Sequence, residues 1–358
     1  MKIGIIPWPA PGHVMNRWRY DVLIKHLPAF GHHAEYCRED GEYDCAIIPL
    51  LPENDKKLFS LKKRAPLIVG DITDELFSFP FERYTTLGKI GLYIGLLLRG
   101  NRPRHIKMVR SCDCVVVGCN SQKASVARYN PNVAAITDAI TDDIFDSGVR
   151  YEQGEKCRIV WLGNTASLHG LTILEGLFDK LAEVGGYELV IITSDRQAYG
   201  KWLDKYPRII REFISWSSKY PRGAQEFVGR QKIPCRFVNW EYDTCAKEAS
   251  FCDVGVVPVG GDSEWIRNKP AGRVLFFMAL GLPVVASPVE SHREVLKPAH
   301  GFLAERTEDW LETIQKLRND AALRKEIGSN ARGFVRDNFG ERQFAGRYAS
   351  IIDGLQRK

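Results

Sequence analysis

Short apolar runs rich in β-branched residues alternate with helix-length segments along this whole sequence, and no other feature narrows the fold so far. The runs fall into two series: KIGIIPW, DCAIIPL, PLIVGD and DCVVVGC, then CRIVWLG, YELVIIT, CRFVNW, DVGVVPV and PVVAS. Each is apolar along its length rather than at alternate positions, the pattern of parallel strands covered on both faces. Two doubly wound α/β sheets follow, and 358 residues suit two domains, each with its own core. The least apolar stretch mid-chain, Asp142 to Lys156, places a hinge between a domain over 1–148 and another over 149–338. Open α/β sheets bind ligands beyond the carboxyl ends of their strands, so the two Rossmann-like domains are expected to face each other across a cleft. Residues Glu341 to Gln356, within 339–358, predict a last amphipathic helix outside the second sheet.

Composition excludes several classes. Apolar residues at 44% and charged residues at 26% are ordinary for a globular chain and leave no large disordered tail. The formal charge of +6 suits phosphate-bearing molecules or an anionic surface without demanding nucleic acid. Nine cysteines without C-x-x-C spacing point to a reducing, cytoplasmic setting rather than a disulfide or zinc framework. No stretch reaches the ~18 apolar residues of a membrane span, and MKIGIIPW reads as a strand rather than a signal peptide. One segment stands apart: IGLYIGLLL at Ile90 to Leu98 is followed by Arg99, Arg102, Arg104, Lys107 and Arg110, so 90–110 reads either as a buried helix leading into a solvated basic one or as a peripheral membrane contact.

The run SEWIRNKPAGRVLFFMALGLPVVAS, Ser263 to Ser287, carries the chemistry. Pro270 fits a first helical turn, Gly281 the position just past the end, and PVVAS the next strand, so a buried helix is expected from about Pro270 to Leu280. Arg267, Lys269 and Arg273 cluster at its amino end, where the helix dipole already favours anions. Three cations there are mutually unfavourable unless an anion such as a diphosphate sits among them, or unless they pair with Asp262, Glu264 or other surface carboxylates.

The segment FMALGLPVVAS, then Glu290-Ser-His-Arg-Glu294, then Gly301-Phe-Leu, resembles the nucleotide-binding half of GT-B glycosyltransferases, in particular the large retaining family with "E-A-M-A-x-G-x-P-V-V-A" followed by a loop ending in Glu and "G-L-L". CRIVWLGNTASLHG, Cys157 to Gly170, takes the place of that family's "G-R-x-x-x-x-K-G" loop, and DCVVVGCNSQKASVARYNPNVAAITDAITDDIF resembles the segment closing the first sheet. The last helix is similar to one that crosses back onto the first domain in that family. About half of the chain is covered. The resemblance implies a metal-independent enzyme without a cofactor, with the nucleotide-sugar as its substrate. Asn164 and His169 stand where the family's loop has the Arg and Lys that hold the donor diphosphate, and Asn268 and Phe276 stand where it has two acidic residues. These departures mark a divergent member, shift the phosphate grip onto Arg267, Lys269 and Arg273, and leave Glu264 and Glu294 as candidates for sugar or ribose hydroxyls.

On the acceptor side, His13 follows the first strand, and Asp71 and Asp74 follow PLIVG, at the edge that faces the cleft. His13, then Asp71, are the candidate general bases, while Arg17 and Arg19 read as solvated. The expectation is a glycosyltransferase, by resemblance a retaining hexosyltransferase, acting on a glycan, lipid-linked or other hydroxyl acceptor. The alternatives are a DNA-modifying phage-type glucosyltransferase, motivated by the net charge and by Lys219 to Lys232, and a non-catalytic nucleotide-sugar-binding protein.

Overall fold

The computed structural model describes all residues except 10–12, 75–76, 78–100, 148–150, 153, 195–223, 262 and 358. The apolar run Ile90 to Leu98 and part of the basic segment Lys219 to Lys232 therefore lie outside the described residues.

Two six-stranded parallel sheets form the frame. The first has the order β2-β1-β3-β4-β5-β6, with β1 at Lys2–Ile5, β2 at His33–Tyr36, β3 at Cys45–Pro49, β4 at Leu67–Ile72, β5 at Cys114–Val117 and β6 at Val133–Ala135. The second has the order β12-β11-β10-β7-β8-β9, with β7 at Cys157–Leu162, β8 at Tyr187–Thr193, β9 at Cys235–Asn239, β10 at Val254–Val257, β11 at Val284–Ala286 and β12 at Phe302–Leu303. All nine expected runs are strands. The three missed ones, β2, β6 and β12, stand at sheet edges and include exposed or half-exposed residues, so they lack the continuous apolar run that identifies a central strand.

Each sheet is covered on both faces. In the first, Ile3, Ile47 and Val69 pack on one side, and Ile48, Ile68 and Val115 on the other. In the second, Val160, Val190 and Val284 pack under the helix Gly272–Leu280, and Ile159, Leu189 and Val256 under the helices Glu175–Val184 and Thr307–Asn319. The helix Glu341–Gln356 leaves the second sheet and buries Phe344, Tyr348 and Ile352 against Ile3, Leu23 and Val69 of the first.

The passage between the cores differs from the expected boundary at 148. Ile140, Ile144 and Phe145 are buried in the core of the second sheet, so the first crossing lies near Ile140. It runs beside the return crossing: Ile140 bridges Gly340 and its N–H donates to Phe339 O at 2.9 Å. Arg332 ties this junction by donating to Phe145 O and to Ala279 O, the latter at 3.1 Å.

Candidate active site

Strand order reverses between β1 and β3 in the first sheet and between β7 and β10 in the second. At such a switch point the flanking loops part, leaving a crevice at the carboxyl ends of the strands. In the second sheet this crevice lies above Leu162 and Val257, the last residues of β7 and β10.

The loop after β7 runs through Asn164 into the turn Thr165–Leu174 and is pinned against the loop after β10 at Gly170. A Cβ at Gly170 would stand 2.7 Å from Pro258 O, so only glycine permits this approach. Opposite, the helix begins at Gly272, two residues later than expected, and ends at Gly281, whose φ of 80° is left-handed. Ser167 and Gly170, Pro258 and Val259, and Trp265, Lys269 and Arg273 line the recess between these elements.

Two of the three expected cations meet there. Arg273, on the first turn of the helix, reaches back over the end of β7: its Nη1 donates to Leu162 O at 3.5 Å and its guanidinium lies 5.9 Å from the centre of the buried Trp161 ring. The Lys269 ammonium lies 3.4 Å from the centre of the Trp265 ring and 3.4 Å from Asp74 Oδ1 of the first domain. Arg267 belongs to a separate short helix, Glu264–Arg267, and its side chain is exposed and does not line the recess. The three cations therefore do not form one cluster at one helix end; a two-residue step separates the exposed Arg267 from the recess. Asn164 is exposed at the mouth of the loop, where its Oδ1 accepts from Ser167 Oγ at 2.8 Å. The side chain of His169 lies outside the described residues. Glu264 pairs with Arg128 of the first domain at 3.6 Å, and Glu294 sits half-buried on the helix Glu290–Val295 near Cys119.

The two positions without an acid have structural uses. The carbonyl of Asn268 accepts from Gln122 Nε2 at 3.0 Å and from Cys119 Sγ at 3.5 Å, which fastens the loop before the helix Gly272–Leu280 to the first domain. Phe276 is buried edge-on against Phe277, with ring centres 5.7 Å apart, where an unpaired carboxylate would be costly. Beside Arg273, His292 is fully buried and shares a 2.8 Å hydrogen bond between its Nδ1 and Ser287 O. Burial pushes this imidazole down to about 4, so it is neutral and its Nδ1–H is the donor.

Across the cleft, Asp71 is corrected. It is buried at the end of β4, its Oδ1 and Oδ2 accept from Arg19 Nη2 and Nε at 2.7 and 2.9 Å, and Tyr20 Oη adds a bond at 3.0 Å. A carboxylate held by two charge-assisted bonds in the core has no access to an acceptor hydroxyl. Arg19 is corrected with it: expected to be solvated, it is fully buried and also donates to Asp138 Oδ1 at 2.5 Å and to Tyr348 Oη at 2.7 Å. Arg17, also expected to be solvated, pairs with Asp243 at 3.2 Å and covers the Tyr242 ring at 3.9 Å.

His13 stacks on Trp8 with ring centres 4.8 Å apart, and its Nδ1 accepts from the Met15 N–H at 3.2 Å. Burial lowers its pKa, so the neutral ring carries its proton on Nε2. In this arrangement His13 offers a donor rather than the lone pair of a base.

Sequence reading missed Asp138, Trp161 and Trp265. Asp138 lies at the domain junction, where a Cβ on Gly272 would stand 3.9 Å from its Oδ2. Burial pushes its carboxyl up, against the Arg19 guanidinium that holds it down. No local signal marks it, because its partner Arg19 is distant in sequence. Each of the two tryptophans supplies a ring beside a cation.

Residues 271–334 match the family of glycosyl transferases group 1. No curated protein sequence matches the chain. Among solved structures, HepE of Anabaena, crystallised with UDP and glucose, superposes with a TM-score of 0.65 at 12% identity, over 99% of this chain and all of that one. Sucrose-phosphate synthase of Thermosynechococcus elongatus gives 0.64 at 14% identity over 100% and 99% of the two chains. A glycosyltransferase of Rickettsia africae gives 0.64 at 11% over the same shares. At these identities the similarity establishes the architecture, two Rossmann-like domains facing across a cleft. The chain thus has the GT-B fold, and its residues 271–334 match the glycosyl transferases of group 1.

Proposed function

We propose that this chain transfers a sugar from a nucleotide-sugar donor to an acceptor hydroxyl in glycan or glycoconjugate synthesis, the donor bound mainly by the second domain and the acceptor by the first. One observation carries the reading: Arg273, Lys269 and the amino end of the helix Gly272–Leu280 meet at one recess, bounded by the loop after β7 at the sheet's switch point. Phosphate oxygens suit this place, because backbone N–H groups, a guanidinium and an ammonium converge there and meet the charge that builds on the leaving diphosphate. HepE of Anabaena was crystallised with UDP-glucose, which supports a sugar nucleotide as the ligand.

Lys269 and Arg273 are assigned to the diphosphate, and Arg267, Asn164 and His169 to the mouth of the same site. Glu264 and Glu294 are assigned to ribose or sugar hydroxyls. The transfer is read as retaining and hexosyl. Supporting this, both base candidates are committed elsewhere, Asp71 to Arg19 and the His13 Nδ1 lone pair to Met15 N–H, and a retaining transfer needs no dedicated base. His13 then serves as an Nε2–H donor on the acceptor side. The reading includes a cytoplasmic, metal-independent enzyme that takes the nucleotide-sugar as substrate and uses no cofactor.

Titration calorimetry with UDP, GDP, ADP and dTDP tests the site. Charge-assisted bonds contribute about 1.5–3 kcal/mol each, so Lys269→Ala with Arg273→Ala should weaken the preferred diphosphate on the order of 100-fold or more, with an unchanged melting temperature. Equal affinity in the double variant sinks the assignment. Transfer assayed with the matching sugar nucleotides, with the product anomer read by NMR, separates an enzyme from a binding protein and tests retention.

A further inference from the structure

The formal charge of the chain is +6, and the fold gathers that surplus on one face. Segment 53–66 carries Lys56, Lys57, Lys62, Lys63 and Arg64 against Glu53 and Asp55, and the helix Asn101–Ser111 carries Arg102, Arg104, Lys107 and Arg110 without an acid. The helix Asp55–Leu61 packs on Asn101–Ser111, so the two segments form one layer on the first sheet. Its surplus of seven positive charges exceeds that of the entire chain, which leaves the rest of the molecule close to neutral.

The layer is amphipathic in the ordinary sense, with its apolar side already used. Leu58, Leu61, Met108 and Val109 are buried with Ile68 and Val115 in the core, while Lys56, Lys57, Lys62, Lys63, Arg102, Arg104, Lys107 and Arg110 are exposed. Arg104, Lys107 and Arg110 recur every third residue and so share one helix face. The Lys107 ammonium lies 4.5 Å from the centre of the Phe59 ring, joining the two helices. Among the described residues no ion pair neutralises any of these eight exposed cations. Glu42 and Asp44 share a surface recess with Lys62 and Lys63, yet the concentration of like charge across the two helices remains self-repelling, and nothing in the packing of the core requires it.

We propose that this face docks the protein on an anionic lipid bilayer. Clusters of about four to eight Lys or Arg bind such surfaces, and a two-helix layer presents its charges side by side as a planar surface requires. The docked face belongs to the first domain and leaves the recess at Lys269 and Arg273, on the second, unused. The inference stands independently of the donor assignment.

Flotation of the full-length protein with vesicles tests it. Vesicles containing phosphatidylglycerol should capture the protein on the order of tenfold more strongly than phosphatidylcholine alone, with the difference lost in high salt, where the Debye length shrinks to about 3 Å. The variants Lys56→Glu with Lys57→Glu, Arg104→Glu with Lys107→Glu, and Lys62→Glu with Lys63→Glu should each reduce capture while melting as the parent does. Lys316→Glu with Lys325→Glu, exposed on the second domain, should leave capture unchanged. Equal capture by both vesicle types, parental capture by all three patch variants that fold, or a preference for duplex DNA over phosphatidylglycerol vesicles overturns the proposal.

Discussion

Two arginines, one from each domain, are treated differently by the fold. Arg19, from the first domain, is closed in by Asp71, Asp138, Tyr348 and the Ile136 carbonyl, and its side chain has no exposure. Arg273, from the second, lies half-buried along Trp161 with a carbonyl of β7 at 3.5 Å. The first charge is neutralised where it stands, by carboxylates of its own domain. The second stands half-buried beside an aromatic face and a strand-end carbonyl, on the lining of the recess. A charge sealed in the core among carboxylates reads as architecture, and one that lines a recess at a switch point reads as placed to meet a ligand.

The contrast breaks most sharply at Arg19. Arg19→Met leaves the buried Asp71 and the half-buried Asp138 without their cation, and loss of one partner from a buried pair costs about 3–5 kcal/mol. Urea denaturation should register a loss of that size, and a combined Arg19→Met with Asp71→Asn should lose less than the two single variants added together. A loss under 1 kcal/mol from Arg19→Met would reduce this network to a surface-like pair.

The second-domain side should instead show itself through pH. His292 titrates near 6.5 when unfolded and at about 4 when folded. Above pH 6.5 both states are neutral and the stability is complete. As the pH falls below 6.5 the unfolded chain takes up a proton that the folded chain refuses until about pH 4, so stability is lost through that window, by about 3 kcal/mol from this group. His105, also lowered to about 4 by burial, acts in the same window, so the measurement is the difference between parent and His292→Asn. Parallel pH profiles of the two proteins would show that His292 is not held neutral.

The smallest effect sharpens the comparison from the other direction. Asp74 pairs with Lys269 at 3.4 Å, but its side chain is 67% exposed. Asp74→Asn should therefore change stability by less than about 1 kcal/mol. A larger loss in denaturation would make Lys269 part of the architecture, like Arg19, and weaken its assignment to the diphosphate.

Much of the frame was legible because central parallel strands announce themselves. DCAIIPL and DVGVVPV contain strands whose every residue is buried, and burial on both faces writes a continuous apolar run into the sequence. The helix Gly272–Leu280 was legible for a related reason, with Pro270 before it and Gly281 after it acting through local backbone preferences. The site was legible only in outline. Arg267, Lys269 and Arg273 are close in sequence, yet a break between two helices sends Arg267 outward while Lys269 and Arg273 turn into the recess.

Local pattern therefore determined what is local: two parallel sheets, a buried helix with cations before and on its first turn, and a last amphipathic helix. Tertiary structure decided the fate of individual charges. Asp71 became the partner of an arginine 52 residues away, Arg19 reached Tyr348 at a separation of 329, and two basic segments far apart in sequence became one face. The physical reason is that a charge takes its meaning from burial and from the nearest opposite charge, and the chain sets both only when distant segments meet.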